Sequence, residues 1–327
     1  MTAWSISRVD LSAAQVAGIV ALAGTASATD GVPPLSEPVL LHLRYDGSGS
    51  GPADQDPRRG GDFVATAAGE IAAYAHLDPP EPEVSGELVV HPDRRRQGLG
   101  RALLAELAAA ANGHLLQLWA HGDLAAAERL AATAGFERFR TLWQMHRSLR
   151  DPVARPEWPA GRELRTFVPG RDEEEWLSLN GRAFAKHLEQ GAWTRRDIEL
   201  RERESWFDPA GFFVAVRDGR MAGFHWTKVH PPQPAGSRAR AGDGLAAGAG
   251  PGVGEVYVVG VDPAEQGSGL GRALTLAGLN HLRDLGLETA MLYVDEDNTA
   301  AIRMYEALGF TRARTDVMYR QGRPTAR

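Results

Sequence analysis

One hexapeptide occurs twice in the chain. Residues 98–103 read Gly-Leu-Gly-Arg-Ala-Leu, and residues 269–274 read the same six. Each copy follows an apolar run that ends two residues before a proline, Val90-His-Pro92 in the first case and Val261-Asp-Pro263 in the second. Downstream, Ala134-Gly-Phe136 is echoed by Leu308-Gly-Phe310 at nearly the same offset. Flanking agreement on both sides makes two copies of one fold the economical reading. In a chain of 327 residues that leaves about 150 for each copy, enough for a core of its own.

The patterning inside the copies fits this division. Residues 1–150 form the first domain and 162–327 the second. Residues 151–161, with three prolines in Asp151-Pro-Val-Ala-Arg-Pro-Glu-Trp-Pro159, suit an extended linker. In the second half, strands are expected at Glu163–Val168, Phe212–Val216, Met221–Val229, Glu255–Val261, Ala290–Val294 and Phe310–Tyr319. Helices are expected at Asp172–Phe184, Gly269–Leu285 and Asn298–Leu308. Asp218-Gly219 is a favoured tight-turn pair between two of those strands. The first half repeats the order with strands at Phe63–Thr66, Glu70–His76, Gly86–Val90, His114–Trp119 and Phe139–His146. Its helices are Leu99–Ala111 and Leu124–Ala132. The class is α/β of the α+β type, each copy a mixed, mostly antiparallel sheet flanked by helices. Two Gly/Pro-rich stretches, 46–61 and 231–254, read as loops.

Composition removes several functions. A net charge of −6 argues against a dedicated nucleic-acid binder. The absence of cysteine removes disulfides, thiolate zinc sites and a cysteine nucleophile together. The ten histidines are scattered, and His225 and His230 lack metal-ligand spacing and a third partner, so no metal is expected. The same two residues suit packing or substrate contact. No Gly-x-Ser-x-Gly elbow follows a strand, which leaves a serine hydrolase unsupported. The N-terminus has no signal-peptide pattern and no run reaches membrane-span length. A cytoplasmic protein, acting as a monomer without membrane partners, is the expectation.

The chemistry lies in the repeated loop. Gln266-Gly-Ser-Gly-Leu-Gly271 follows an apolar strand and opens a helix. Glycine lets the backbone turn sharply and approach a ligand closely, and the free N–H groups of a helix start favour phosphate. A pyrophosphate fits over Gln266, Gly267, Ser268, Gly269, Leu270, Gly271 and Arg272. Arg95, Arg96, Gln97, Gly98, Leu99, Gly100 and Arg101 offer the same cradle with more positive charge nearby. The bland reading of either loop alone is a tight turn without a ligand. A dinucleotide fold would place this loop after the first strand of a parallel unit, whereas here about three strands precede it.

The pattern [Gln/Arg]-x-x-Gly-x-Gly after a Val-x-Pro strand end, with Asn298, Tyr305 and Leu308-Gly-Phe310, resembles the GNAT acetyltransferase superfamily. The tandem arrangement is similar to the mycothiol synthase family. Longer strings carry that likeness: Glu189-Gln-Gly-Ala-Trp-Thr194, Trp206-Phe-Asp-Pro-Ala-Gly211, Phe224-His-Trp-Thr-Lys-Val-His230, the run from Gly254 to Pro263, and Trp119-Ala-His-Gly-Asp123. The resemblance implies an N-acetyltransferase that uses acetyl-CoA and acetylates the cysteinyl amine of desacetylmycothiol, with catalysis in the second copy. Glu255 is then the base or ammonium anchor, or else a solvated strand-end charge. Backbone at Val259, Gly260 and Val261 pairs with the pantetheine where this strand splays from its neighbour. Gly260 suggests a bulge or close backbone approach, with a glycine packed beneath an aromatic ring as the alternative. Asn298, Thr299, Ala300, Ala301, Ile302 and Arg303 join the acetyl-CoA site, and Tyr305 supplies the proton donor, the bland reading being a core tyrosine. Glu37, Glu189, Lys228 and Tyr293 join Glu255 on the acceptor. Glu37 reads equally as a first-turn helix charge, Lys228 as a surface residue and Tyr293 as a core residue.

The first copy offers Leu88, Val89 and Val90 beside its loop. Aligning Gly135-Phe136 with Gly309-Phe310, however, sets Ala131 opposite Tyr305 and Leu124 opposite Asn298. That copy is expected to hold acetyl-CoA without turnover. A GNAT enzyme for another primary amine, an aminoglycoside or a protein N-terminus, and a non-catalytic acyl-CoA sensor stay open as alternatives.

Overall fold

The expected hairpin across Asp218-Gly219 closes as its sequence dictates. Both residues take positive φ, 50° and 76°, the twist that matches two right-handed strands. In the computed structural model, residues 4–45, 60–79, 83–232 and 252–322 are described. Most of the two stretches read as loops, 46–59 and 233–251, lies outside them.

The first half runs β1 (Trp4–Val9), α1 (Ala13–Asp30), α2 (Glu37–Tyr45), β2 (Gly61–Ala67), β3 (Glu70–Leu77), β4 (Val84–Val90), α3 (Leu99–Ala110), β5 (Leu116–Ala120), α4 (Ala125–Thr133) and β6 (Phe136–Ser148). The second runs β7 (Glu163–Thr166), α5 (Glu173–Ala183), α6 (Leu188–Gly191), α7 (Arg195–Glu202), β8 (Phe212–Arg217), β9 (Arg220–His230), β10 (Val253–Val261), α8 (Leu270–Asp284), β11 (Thr289–Asp295), α9 (Thr299–Ala307) and β12 (Thr311–Gln321). Helices α1, α2, α6 and α7 and strand β1 are additions to the sequence reading. Residues 151–161 carry neither helix nor strand. No helix among the described residues is long and apolar enough to cross a membrane.

The chain forms two compact units whose membership departs from the sequence halves at their ends. Unit 1 takes Met1–Trp143 and also Arg314–Arg327; unit 2 takes Gln144–Gly236 and Ala246–Ala313. The last strand of each half crosses the boundary: β12 joins unit 1 from Arg314 onward, and β6 belongs to unit 1 as far as Trp143 and to unit 2 from Gln144. In unit 1, Val317 to Arg320 of β12 pair antiparallel with Ala120 to Gln117 of β5, and Val317 and Tyr319 lie in the apolar core with Leu99, Leu103 and Leu107 of α3. In unit 2 the closing segment of β6 neighbours β11, and Arg147 donates to the Leu308 carbonyl at 2.6 Å. The linker packs on unit 2, where the Asn280 amide donates to the Ala154 carbonyl at 2.9 Å and Trp158 meets Ala215 and Leu270.

Strand register exposes the repeat more fully than the hexapeptide does. Asp62 faces His76 and Val64 faces Tyr74 across β2–β3; Phe212 faces Trp226 and Val214 faces Phe224 across β8–β9. Both hairpins then slip by one residue at the matching place, between Ala65 and Thr66 and between Ala215 and Val216. Each unit therefore presents one sheet face to α3 or α8 and the other to its first helices, and corresponding residues can be compared one by one.

Candidate active site

In unit 2, β10 lies between β9 and β11. Its parallel ladder with β11 covers only Gly254 to Val256, so the two strands part before Tyr257 to Val261. That leaves a run of β10 backbone without a ladder partner on this side, an edge to which an extended amide-bearing ligand can pair. Among the β10 positions expected at the acetyl-CoA site, Gly260 is packed tightly. A Cβ there would sit 2.4 Å from Phe224 Cε1, so its smallness serves the aromatic ring. The expected bulge lies three residues earlier, where Tyr257 is the extra residue between Val256 and Val258.

That bulge shapes the acceptor side. It places Tyr257 and Val258 on one face, with Trp193, Trp206 and Trp226 grouped around the Tyr257 ring. The Lys228 ammonium stands 4.4 Å from the Trp206 ring centre and 5.0 Å from that of Tyr257. Arg201, buried, stacks 3.8 Å over Trp193 and donates to the Tyr257 hydroxyl at 2.7 Å. Glu255 is the cross-strand partner of Lys228. It is buried rather than solvated, and its carboxylate shares a 2.6 Å hydrogen bond with His230 Nε2. The site thus has a carboxylate–imidazole pair beside an aromatic wall that carries two cations. Arg201 and Tyr257 were not singled out from sequence for this role, whereas His230 was read as suited to packing or substrate contact. The only signal was the density of aromatics in the strings around them.

The glycine loop leads into α8. Pro263–Glu265 forms a short 3-10 turn, capped by the Asp262 carboxylate on Ala264 N–H at 3.0 Å. Gly267 and Gly269 adopt φ of 77° and 87°, which only glycine takes without strain. The first helical bond runs from Ala273 N–H to the Gly269 carbonyl at 3.1 Å, so the N–H groups just before it sit at the positive end of the helix dipole. Arg272 is exposed, with no ion-pair partner among the described residues. Glu265 is clasped by Arg162 and Arg217, whose hydrogen bonds hold its carboxyl below the usual range.

Asn298 caps α9 by accepting from Ala301 N–H at 3.2 Å. On the same helix Tyr305 is buried, packed edge-on against Phe310 at 5.8 Å. Burial pushes its phenol up to about 12, so it keeps its proton at neutral pH. Tyr293 is not a core residue: its ring is 41% exposed, and its hydroxyl accepts from the Gln144 amide at 2.8 Å. Glu189 sits exposed on α6. Glu37 heads α2 in unit 1, a first-turn charge as its spacing suggested. His225 is a packing residue. Its Nδ1 meets the Leu274 carbonyl at 2.7 Å, and burial pulls its pKa down to about 4.

Unit 1 keeps the loop and the splayed strands. The β4–β5 ladder covers only Val84 to Gly86, which leaves Leu88, Val89 and Val90 past its end. Gly98 caps α3 at φ 91°. Arg95, however, is bound bidentately to Asp30 at 2.7 and 2.6 Å and to the Val90 carbonyl, so its own charge is already partnered. Arg96 holds φ 65° where unit 2 has Gly267. Helix α4 matches α9 in length, but Leu124 provides no side-chain cap. Asp78 donates its N–H to the Ser85 carbonyl at 2.8 Å, one step beyond Leu77–Gly86, at the place where unit 2 pairs Lys228 with Glu255.

Comparisons with known proteins bear on both units. Residues 174–310 match the acetyltransferase (GNAT) family, and residues 59–138 match a GNAT acetyltransferase domain. The chain is 55% identical to the mycothiol acetyltransferase of Thermobispora bispora, over 93% of this chain and 95% of that one. It is 53% identical to the mycothiol acetyltransferase of Thermomonospora curvata, over 95% of each. A tandem GNAT protein from the clavulanic acid biosynthesis pathway shares the fold, with a TM-score of 0.69 at 22% identity over 97% of this chain and 98% of that one. A GCN5-related N-acetyltransferase from Sphaerobacter thermophilus gives a TM-score of 0.65 at 25% identity, over 97% and 95%.

Proposed function

Because the chain belongs to the GNAT acetyltransferases and, among them, to the mycothiol acetyltransferases, we propose that it acetylates the cysteinyl amine of desacetylmycothiol from acetyl-CoA, releasing mycothiol and CoA. The observation that carries this reading is the placement of the buried Glu255–His230 pair at the last rungs of the β10–β11 ladder, just before those strands part. A free α-amine has a pKa of about 7.7–8.0, so only modest help is needed to make it nucleophilic. In this reading Glu255 draws the proton from the acceptor ammonium. A backbone N–H near Gly260–Val261 supports the charge that develops on the thioester oxygen. Tyr305 returns a proton to the departing thiolate, whose conjugate thiol has a pKa of about 8.5. Burial keeps Tyr305 protonated at neutral pH, as a donor must be before the thiolate departs.

The donor is held by backbone more than by charge. Residues 266–272 offer N–H groups and Arg272 to the pyrophosphate, and residues 298–303 line the same end. Glu189, Lys228 and Tyr293 meet the hydroxyls of the pseudodisaccharide. Residues 162–327 supply catalysis, while residues 1–150 hold acetyl-CoA at 88–90 and 95–101 without turnover. The protein works in the cytoplasm as a monomer. CoA release from purified protein, with desacetylmycothiol beside a panel of other amines, tests the reading. Turnover selective for desacetylmycothiol supports it. Equal rates on an aminoglycoside would favour the broader GNAT alternative, and acetyl-CoA binding with no turnover would favour a sensor.

A further inference from the structure

Unit 1 holds a group of side chains that the acetyl transfer does not use. Asp62 of β2 and His76 of β3 are cross-strand partners on the face covered by α1 and α2. His42, in the second turn of α2, closes over them, its ring centre 4.5 Å from that of His76. His42 Nε2 lies 2.9 Å from Asp62 Oδ2, and His76 Nδ1 lies 2.9 Å from Asp62 Oδ1. Their donor atoms all fall within 4.8 Å of one another. Spacing along the chain hides this set, since the three residues come from a helix and two strands.

The surroundings are those of a ligand sphere. The rear nitrogen of His76 faces Asp78 at 3.3 Å, the carboxylate–histidine arrangement that orients metal-bound imidazoles. Tyr74 donates to Asp62 at 2.6 Å and fixes that carboxylate in turn. The charge suits a cation: Asp62 is buried, and Asp78 lies on the far side of His76. The corresponding pair in unit 2 is Phe212 and Trp226, stacked at 4.5 Å in an apolar core. The fold therefore builds this position from packing alone, and a buried Asp–His pair needs something else to offset its desolvation.

We propose that His42, Asp62 and His76 form a divalent transition-metal site that fastens α2 to the β2–β3 hairpin of unit 1. Two imidazoles and a carboxylate, with no thiolate available, select zinc or a neighbouring first-row ion over calcium or magnesium. Three protein ligands leave a further position for water. The metal would be structural, holding the helix that begins at Glu37.

Tag-free protein, stripped with a chelator and titrated with Zn2+ against a chromophoric competitor, tests this directly. One equivalent should bind per chain and raise the thermal midpoint. His42→Ala removes the most exposed ligand and should leave the apo-protein folded by circular dichroism, yet abolish the stoichiometric binding and the thermal shift. Asp78→Asn, at an exposed position, should weaken zinc by about 10–100-fold while all three ligands remain. Co2+ loading should give visible absorption bands in the wild type and none in His42→Ala. Wild-type protein that retains no zinc, or His42→Ala that binds it equally well, would overturn the proposal. None of these readouts depends on the acetyl transfer.

Discussion

The same strand positions carry opposite chemistry in the two units. Where unit 2 has Phe212, Phe224 and Trp226, unit 1 has Asp62, Tyr74 and His76, in the same register and beside the same one-residue slip. Where unit 2 pairs Lys228 with Glu255, unit 1 has Asp78 against Ser85. Where unit 2 has Asn298 and Tyr305, unit 1 has Leu124 and Ala131. The glycine loop, the hairpin slip and the parting of the central strands are common to both. The fold preserves what a CoA-like ligand requires of the backbone. In the proposed reading Glu255 and Tyr305 act from unit 2, and the Tyr257 bulge beside its aromatic wall has no counterpart in the β3–β4 ladder.

The largest effect should come from the proton donor. Tyr305→Phe is expected to lower kcat about 100-fold or more with little change in acetyl-CoA binding, whereas Ala131→Tyr in unit 1 should change neither. Steady-state CoA release checks both, and full activity in Tyr305→Phe would remove the asymmetry. Next is the aromatic wall. Trp226→Ala empties a fully buried position and should lower stability by about 3–5 kcal/mol in denaturant unfolding. Tyr74→Phe, which takes one donor from Asp62, should cost about 1–3 kcal/mol.

Two smaller changes probe elements that the units share. Asn298→Leu copies the uncapped start of α4 and should cost about 1 kcal/mol. Gly267→Ala, at φ 77°, should cost about the same and also weaken acetyl-CoA binding, measurable by calorimetry. The smallest is a pH effect in unit 1. Burial works against the charged form of His121, but Asp316 at 3.1 Å and the field of Glu87, 3.9 Å away, raise it to about 10. A raised pKa gives stability that is complete below the unfolded value near 6.5 and is lost as pH rises through about 10. The thermal midpoint should therefore fall over that range, and the slope should flatten in His121→Gln. Because His121 is clasped to Asp316 of β12, an unchanged slope would mean that this clasp contributes nothing.

The sequence by itself determined the repeat, the order of strands and helices within it, the glycine loops and the loss of Asn298 and Tyr305 equivalents from the first copy. These are local properties: side-chain periodicity, glycine at positive φ and a cap three residues before the N–H it binds. Tertiary structure alone decided the rest. That β12 joins unit 1 and the end of β6 joins unit 2 leaves no trace in sequence, because the alternation of a strand does not say which neighbour it pairs with. Gly260 reads in the string equally as a bulge, a close backbone approach or a glycine beneath an aromatic ring; packing against Phe224 decides for the ring and sets the bulge at Tyr257. His230 on Glu255, and His42 and His76 on Asp62, meet only across strands and a helix. Cross-strand register, not spacing along the chain, sets which polar groups share a buried space.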